Sequence, residues 1–424
     1  MQTAQDFRLA IVGLGYVGLP LAAESVEAGL QVTGFDVNQA VIEGLRAGKS
    51  HIDDLTDGQI AGMLSRGFAA TAEEAALAAT NVIVICVPTP LSDDGGPDLS
   101  AVVSATSAVG RNMQPGTLVI LESTTYPGTT EEVVAPLLAE TSGLIMGKEF
   151  EVAFSPERVD PGNKHFGTNN TPKVVGGLTP RATALASEFY KRFVRTVVLA
   201  KSAKEAEMAK LLENTYRHVN IALVNEMARF CHELNIDLWD VIRLAETKPF
   251  GFQAFYPGPG VGGHCIPIDP NYLSYNVHQR LGHRFRFVEL AQEINASMPD
   301  YVARRAADLL NEKQKPVSGS SILILGVTYK ADISDQRESP AIPLGEALLK
   351  RKATLMFHDP KVTSWQVGGE RLEVIADLDK AVKEVDLVIL VTAHSDYDAD
   401  AMAEAAQLFL DTRGVTSSDK ASRL

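Results

Sequence analysis

The chain has 424 residues, 45% of them apolar and 22% charged, which is the make-up of a globular protein of roughly two to four domains and not of a disordered chain. Its formal net charge of −14 argues against a general binder of nucleic acid or membrane surfaces, both of which need a basic face, but leaves room for an anionic small ligand at a locally positive site. Three scattered cysteines (Cys86, Cys231, Cys265) make no disulfide framework and point to a reducing cytoplasm; Met1 to Arg8 carries no signal-peptide pattern, and no apolar run of about 18 residues predicts a transmembrane helix.

Arg8–Val12 reads as a short apolar strand running straight into Gly13-Leu14-Gly15-Tyr16-Val17-Gly18. Pro20–Ala28 reads as a helix stopped by Gly29, and Gln31–Phe35 as the next strand, ending at Asp36. Asn81–Val87 and Thr117–Glu122 are apolar strands of the buried parallel kind, with Glu151–Phe154 a further one. Strands alternating with helical stretches predict a parallel sheet covered on both faces. Ser202–Leu234 is helical, with Ala209, Leu212, Tyr216, Val219 and Leu223 at helical spacing; it is long enough to form a spine between two lobes. Helices are expected through Trp239–Ala245 and Glu289–Leu310. Lys248–Pro270 between them is rich in proline and glycine, a loop of a length that is often functional.

After the polar linker Lys313–Gly319 the alternation resumes, with a strand over Ser321–Leu325, a turn over Gly326–Lys330 and a helix over Pro340–Arg351. Strands follow over Thr354–His358, ending at Asp359, and over Asp386–Val391. This order echoes the N-terminal one. The expected fold class is α/β: two Rossmann-like, doubly wound parallel-sheet domains joined by a long central helix and a helical spacer, with boundaries at 1–200, 201–315 and 316–424.

Gly13-x-Gly15-x-x-Gly18 lies in the context that gives such a motif meaning: a strand before it, a helix after it and an acidic residue ending the next strand. Gly13 permits the tight turn, Gly15 lets backbone approach a pyrophosphate, and Gly18 allows close packing of helix on strand, while the helix N-terminus offers N–H groups to phosphate. Asp36 would accept hydrogen bonds from the ribose hydroxyls and repel a 2′-phosphate, and Val37-Asn38 supplies no cation, so NAD is expected over NADP. Gly326–Lys330 lacks the three-glycine spacing. Lys330 is either the charge of a site for another phosphorylated ligand or a solvated lysine on a structural turn.

Cys86 and Cys231 lie in apolar and helical settings and read as inert core residues. Cys265 lies in Gly258-Pro259-Gly260-Val261-Gly262-Gly263-His264-Cys265-Ile266-Pro267-Ile268-Asp269, where ionisable groups flank the thiol, which makes it the one plausible nucleophile of the three. A structural loop with an incidental cysteine is the alternative. No metal site is expected, since His264 beside Cys265 is poor spacing for chelation. Lys210 and Asn214, four residues apart, share one helix face; taken alone, that spacing favours a solvated face over a site.

The glycine turn, Val87-Pro88-Thr89-Pro90, Glu122-Ser123-Thr124, Ser155-Pro156-Glu157, Lys210 with Asn214, Gly262–Asp269 and Arg337-Glu338-Ser339-Pro340 occur in an order that resembles the UDP-sugar 6-dehydrogenases, from about residue 8 to about residue 413. The resemblance implies a cytoplasmic, dimeric or larger homo-oligomeric enzyme of polysaccharide biosynthesis that binds neither nucleic acid nor membrane. It assigns NAD to the first domain, the catalytic loop to the second and the UDP-sugar to the third. It implies oxidation of a C6 alcohol to a carboxylate with two NAD per turnover, through a thiohemiacetal and a thioester on Cys265. Lys210 and Asn214 would stabilise the oxyanion, Asp269 and Thr124 would position water and assist proton transfer, and Glu157 would serve as acid or base in hydrolysis. Tyr16, Val17, Pro88, Thr89 and Thr124 would complete the cofactor site. Glu157, Arg158, Lys210, Asn214, Tyr256, Gly262, His264, Lys330 and Arg337 would hold the UDP-sugar.

Where UDP-glucose enzymes of this family read Gly-Gly-Ser-Cys-Phe-Pro-Lys-Asp, this chain has His264, Ile266 and Ile268; where they read Pro-Glu-Phe-Leu-Arg-Glu, it has Pro156-Glu157-Arg158-Val159-Asp160-Pro161-Gly162. Both variants resemble the branch acting on UDP-N-acetylhexosamines, with UDP-N-acetylglucosamine expected first, UDP-N-acetylmannosamine second, and UDP-glucose and UDP-N-acetylgalactosamine to be compared with them. Two other classes remain to be distinguished: a two-electron NAD dehydrogenase with a structural Cys265, and a non-catalytic NAD-binding protein.

Overall fold

A computed structural model describes residues 6–92, 96–158, 163, 165–263 and 266–424. His264 and Cys265 lie outside the described residues. The chain divides into two units, Met1–Glu213 with Asn271–Gly282, and Asn214–Pro270 with His283–Leu424.

The first unit is built on β1 (Arg8–Val12), β2 (Gln31–Phe35), β3 (Ala69–Thr71), β4 (Val82–Ile85), β5 (Leu118–Leu121), β6 (Glu151–Phe154), β7 (Lys173–Gly177) and β8 (Val197–Leu199). They form one sheet in the order β3-β2-β1-β4-β5-β6-β7-β8. Every pairing is parallel except that of β6 with β7, which departs from the wholly parallel expectation. The runs Val-Ile-Val-Ile of β4 and Leu-Val-Ile-Leu of β5 are buried throughout, as branched side chains on a sheet covered on both faces should be. Leu9, Ile11, Val84 and Ile120 pack into one layer and Ala10, Val12, Ile83 and Val119 into the other, the period of two of a strand with two buried faces. Val12 stands opposite Phe35 and Ile85, so Gly13, Asp36 and Cys86 leave the sheet at one edge, beside the point where strand order reverses.

The second unit holds β9 (Ser321–Leu325), β10 (Thr354–His358), a hairpin of β11 (Ser364–Val367) and β12 (Glu370–Glu373), then β13 (Leu387–Leu390), β14 (Phe409–Asp411) and β15 (Ala421–Arg423). Its main sheet is all parallel, in the order β10-β9-β13-β14-β15. The spine is one helix, Ala203–Glu233. The helical stretch expected over Glu289–Leu310 is two helices, Arg286–Ala296 and Met298–Glu312. Pro299 falls in the first turn of the second, where its missing N–H breaks no intrahelical bond. Among the described residues no helix is long and apolar enough to cross a membrane.

Candidate functional site

The glycine turn is shaped by what its glycines lack. Gly13 has φ +94°, and a Cβ there would stand 2.8 Å from the Cys86 carbonyl oxygen. A Cβ on Gly18 would stand 1.9 Å from the Gly13 carbonyl oxygen, so the helix Gly18–Glu27 can start this close to β1 only from glycine. Gly15 differs, with no atom within 4 Å of a Cβ position: its backbone faces open space. The helix has no side-chain N-cap bond and no acidic residue in its first turn; the Leu19 N–H is taken by the Gly15 carbonyl at 3.1 Å and Pro20 has none, so it is the positive end of the helix dipole that is left to an anion. Asp36 accepts hydrogen bonds from the N–H of Leu14 at 2.8 Å and of Asn38 at 2.9 Å, fixing the turn with part of its carboxylate while the rest can meet a ribose. Open backbone, bare helix end and strand-end carboxylate together fit the pyrophosphate and ribose of NAD.

Beside this turn, Ser123 donates to the Val87 carbonyl at 2.7 Å, tying Glu122-Ser123-Thr124 to Val87-Pro88-Thr89-Pro90. The fully buried Tyr272 donates its hydroxyl to the carbonyls of Thr89 and, at 3.2 Å, Pro90. Sequence reasoning missed Tyr272, because a tyrosine on a helix reads as packing. Below Ser123, Glu122 is 2% exposed and pairs with Lys173 Nζ at 2.8 Å and with the Tyr190 hydroxyl. Burial, then the Glu122 charge, push both the Tyr190 phenol and the Cys86 thiol well above their ordinary values, and Cys86 lies in the core as expected. Cys231 is buried also.

On the spine helix, Lys210 is 5% exposed and its Nζ stands 3.5 Å from Glu157 Oε2, itself buried. The solvated face that its spacing alone favours is therefore absent here. Arg158 is gripped by Glu213 through two nitrogens and donates to the Pro172 carbonyl at 2.8 Å. Glu207, one turn before Lys210, accepts from the N–H groups of Gly128 at 2.6 Å and Thr130 at 2.9 Å and from the Thr130 hydroxyl at 2.6 Å. Burial raises its carboxyl, and these bonds oppose the rise.

In the second unit Asn214 donates to Asp269 Oδ2 at 2.5 Å, with both side chains buried and Asp269 opening the helix Asp269–Leu281. Gly262 lies against the turn after β9, since a Cβ on it would stand 2.6 Å from the Glu338 carbonyl oxygen and 2.8 Å from Tyr329 Cβ. Arg337 is clamped by Asp335 at 2.8 Å, and Lys330 is half-buried on the same segment. The ring of Tyr256 stacks on Trp239 with centroids 5.8 Å apart. Arg413 joins this set although sequence reasoning gave it no role. It follows β14, donates Nε to the Val391 carbonyl at 2.6 Å, and brings a guanidinium nitrogen to 2.8 Å from where a Gly258 Cβ would be. Burial pulls its pKa down to about 10 against the pull of Asp411. A pocket of about 560 Å³ opens beyond β13, lined by His394, Asp396, Tyr397 and Val415, and takes in none of the predicted site residues. Among the described residues no cluster of metal-ligating side chains occurs.

A dinucleotide turn in one unit and a second nucleotide fold beside a glycine-rich loop in the other define a class, the NAD-linked oxidoreductases of nucleotide-bearing substrates. Residues 7–194 match the NAD binding domain of the UDP-glucose/GDP-mannose dehydrogenase family, residues 204–297 its central domain and residues 323–418 its UDP binding domain. The chain belongs to this family and is an NAD-binding nucleotide-sugar dehydrogenase. It is 36% identical over 392 residues to a UDP-N-acetyl-D-mannosamine dehydrogenase of Pyrococcus horikoshii, covering 92% of this chain and 90% of that one. It is 36% identical over 393 residues to a UDP-N-acetyl-D-glucosamine 6-dehydrogenase of Salmonella typhi, covering 92% and 91%. A solved structure of the Pyrococcus horikoshii UDP-D-ManNAc dehydrogenase superposes with a TM-score of 0.89 at 34% identity, over 98% of both chains.

Proposed function

We propose that this chain carries out the four-electron oxidation of the C6 alcohol of UDP-N-acetylglucosamine to the uronic acid, with UDP-N-acetylmannosamine as the second candidate. The observation that carries the reading is that Lys210 and Asn214, one turn apart on the spine helix, are each buried against an acidic side chain, Glu157 at 3.5 Å and Asp269 at 2.5 Å; a buried lysine–carboxylate pair alone, such as Lys173 with Glu122, needs no reaction to explain it. Bound NAD supplies the oxidising power, one molecule for each two-electron step. The Cys265 thiol adds to the C6 aldehyde to give a thiohemiacetal, which is oxidised to a thioester that water cleaves to carboxylate and free thiol. Lys210 and Asn214 donate to the oxygen that gains charge at each addition. Asp269 and Thr124 orient the water, and Glu157 takes and returns its proton. Lys330, Arg337, Arg158, Tyr256, Gly262 and His264 hold the UDP-sugar. The division of labour over 1–200, 201–315 and 316–424 is part of the same proposal.

The choice of sugar rests on Gly262-Gly263-His264-Cys265-Ile266-Pro267-Ile268-Asp269 and on relatives named for N-acetylhexosamine substrates; equal identity to the mannosamine and glucosamine enzymes leaves the sequence motif to order the two. Reduced thiols at Cys86 and Cys231 suit a cytoplasmic enzyme. Tyr216, Leu223 and Phe230 form an exposed apolar stripe along the spine helix, continued by Leu234 just past its end, and a second copy of the chain is its proposed cover. The test is NADH formed per sugar consumed over UDP-N-acetylglucosamine, UDP-N-acetylmannosamine, UDP-N-acetylgalactosamine and UDP-glucose. Two NADH per UDP-N-acetylglucosamine, and no acid from Cys265→Ser, are expected. One NADH per sugar, or normal acid production by that variant, would sink the covalent scheme.

A further inference from the structure

Residues 258–263 read Gly-Pro-Gly-Val-Gly-Gly, a segment with four glycines and almost no side chain with which to hold itself. Glycine loses the most conformational freedom on ordering, so a fixed course for this segment has to be imposed from outside. The outside group is a buried chain of amides. Gly258 donates its N–H to Asn225 Oδ1 at 2.9 Å, and Asn225 donates Nδ2 to Asn295 Oδ1 at 2.9 Å. Asn295 donates Nδ2 to the His218 carbonyl at 3.2 Å, with His218 Nδ1 at 3.4 Å. Asn225 is 0% exposed, Asn295 4% and His218 1%. The ends of this chain are of fixed polarity: a backbone N–H that only donates and a backbone carbonyl that only accepts. Each amide can therefore face only one way, and neither can be replaced without leaving a buried polar group unpaired. Downstream, a Cβ on Gly260 would stand 3.1 Å from Pro340 and 3.6 Å from the Asn295 carbonyl oxygen, so the loop lies flush against the same helix Arg286–Ala296.

We propose that Asn225 is a positioning residue for the loop that carries Cys265, and that the Asn225–Asn295 relay sets where that loop is held on the spine helix. The inference rests on the assignment of Cys265 as the nucleophile. The relay's hydrogen bonds run to the protein backbone at both ends, and its proposed action is to fix Gly258, seven residues before the thiol. Misplacing a reacting group by about 1 Å costs on the order of a hundredfold in rate, which is the effect a loosened loop should have.

The experiment compares Asn225→Leu, Asn225→Asp and Asn295→Leu in the full chain with saturating NAD and UDP-N-acetylglucosamine. Asn225→Leu is expected to lower kcat about tenfold to a hundredfold with KM for NAD within about threefold of wild type. Asn225→Asp keeps an acceptor for the Gly258 N–H and should recover most of that kcat at the cost of thermal stability. Asn295→Leu should lower Tm as much as Asn225→Leu but kcat less, because Asn225 Oδ1 still meets Gly258. A purely structural role would make kcat follow Tm across all three, and that result overturns the proposal. If Asn225→Leu does not fold, Asn225→Ser takes its place in the same comparison. Alkylation of Cys265 by iodoacetamide, read by mass spectrometry, needs no substrate. It should speed up about fivefold in Asn225→Leu as the freed loop opens, with Cys86 and Cys231 unchanged. Unchanged alkylation together with unchanged kcat refutes the inference. Acid production by Cys265→Ser refutes the assignment of the nucleophile, and the alkylation result stands apart from it.

Discussion

The two nucleotide folds begin with the same device and put it to different uses. In each, the first strand ends in a glycine of positive φ: Gly13 after β1 and Gly326 after β9. A Cβ on either would strike the carbonyl at the end of the neighbouring strand, Cys86 at 2.8 Å or Thr392 at 2.3 Å. In each, an aspartate ending the next strand accepts the N–H of the following residue, Leu14 to Asp36 and Val327 to Asp359, both at 2.8 Å. Beyond this the two part. Gly15 is bare and exposed, and a helix starts at Gly18; its counterpart Thr328 is buried, with its hydroxyl bound to the Lys330 carbonyl at 2.9 Å, and the next helix waits until Ala341. Asp36 keeps an exposed edge, whereas Asp359 is sealed by His394, whose Nε2 stands 3.0 Å away. The Asp332 N–H donates to His394 Nδ1 at 3.0 Å, which places the ring proton on Nε2, facing Asp359. An open turn can hold a dinucleotide. The closed one instead carries a segment, Tyr329 to Pro340, that presents Lys330 and Arg337.

The largest effect that sharpens this contrast is on stability. Asp359→Ala removes the acceptor of buried N–H groups and of His394, and should cost roughly 3 kcal/mol or more in urea unfolding. Asp359 also predicts an acid dependence. Burial alone would raise its carboxyl, but bonds from His394 and from the N–H groups of Lys361 and Val327 outweigh burial and hold it below the usual carboxylate range. A depressed pKa in the folded state adds stability that is complete above the unfolded-state value, about 3.9, and is lost as pH falls through the lower folded value. Asp359→Asn should flatten the stability curve in that acid range and leave its slope near pH 7 unchanged. A smaller effect is expected at Asp36, and of another kind. Asp36→Ala should cost about 1 kcal/mol of stability yet raise KM for NAD about tenfold, the value of a charge-assisted hydrogen bond to the ribose. If Asp36→Ala destabilises the protein as much as Asp359→Ala and leaves KM for NAD alone, the two turns do the same job and the contrast is lost.

Much of the two main sheets was legible because their strands are short apolar-rich runs between helical stretches; Arg8–Val12, Gln31–Phe35, Glu151–Phe154, Ser321–Leu325 and Thr354–His358 lie where the sequence places them. The strands that escaped are short or broken by small residues, such as Ala69–Thr71 and Lys173–Gly177 with its closing glycines, and their pairing depends on a neighbour already in place. The two aspartates were legible as a repeat, but their different fates were not. Whether a strand-end carboxylate is open or sealed is decided by His394, 35 residues from Asp359 in sequence. The same holds for Lys210: a spacing of four residues to Asn214 says that they share a face and not that the face is buried. Its partner Glu157 lies 53 residues away, so local sequence favoured the solvated reading.

The smallest effect on stability is the most exacting test. Gly15→Ala adds a methyl group that meets no protein atom within 4 Å, at a position whose φ is not positive, so neither a clash nor backbone strain opposes it. Stability should stay within about 0.5 kcal/mol of wild type, with a slight gain because alanine has fewer unfolded conformations to lose. The same methyl group stands where the pyrophosphate of NAD has to approach the backbone. Overpacking of that kind is worth about 1–3 kcal/mol, so KM for NAD should rise about tenfold with kcat nearly intact at saturation. Thr328 already carries a side chain at the matching position of the closed turn, and Thr328→Ala should leave KM for NAD as it was. An unchanged KM in Gly15→Ala would mean that the open backbone at Gly15 is not where the pyrophosphate sits, and the difference between the two turns would then need another cause.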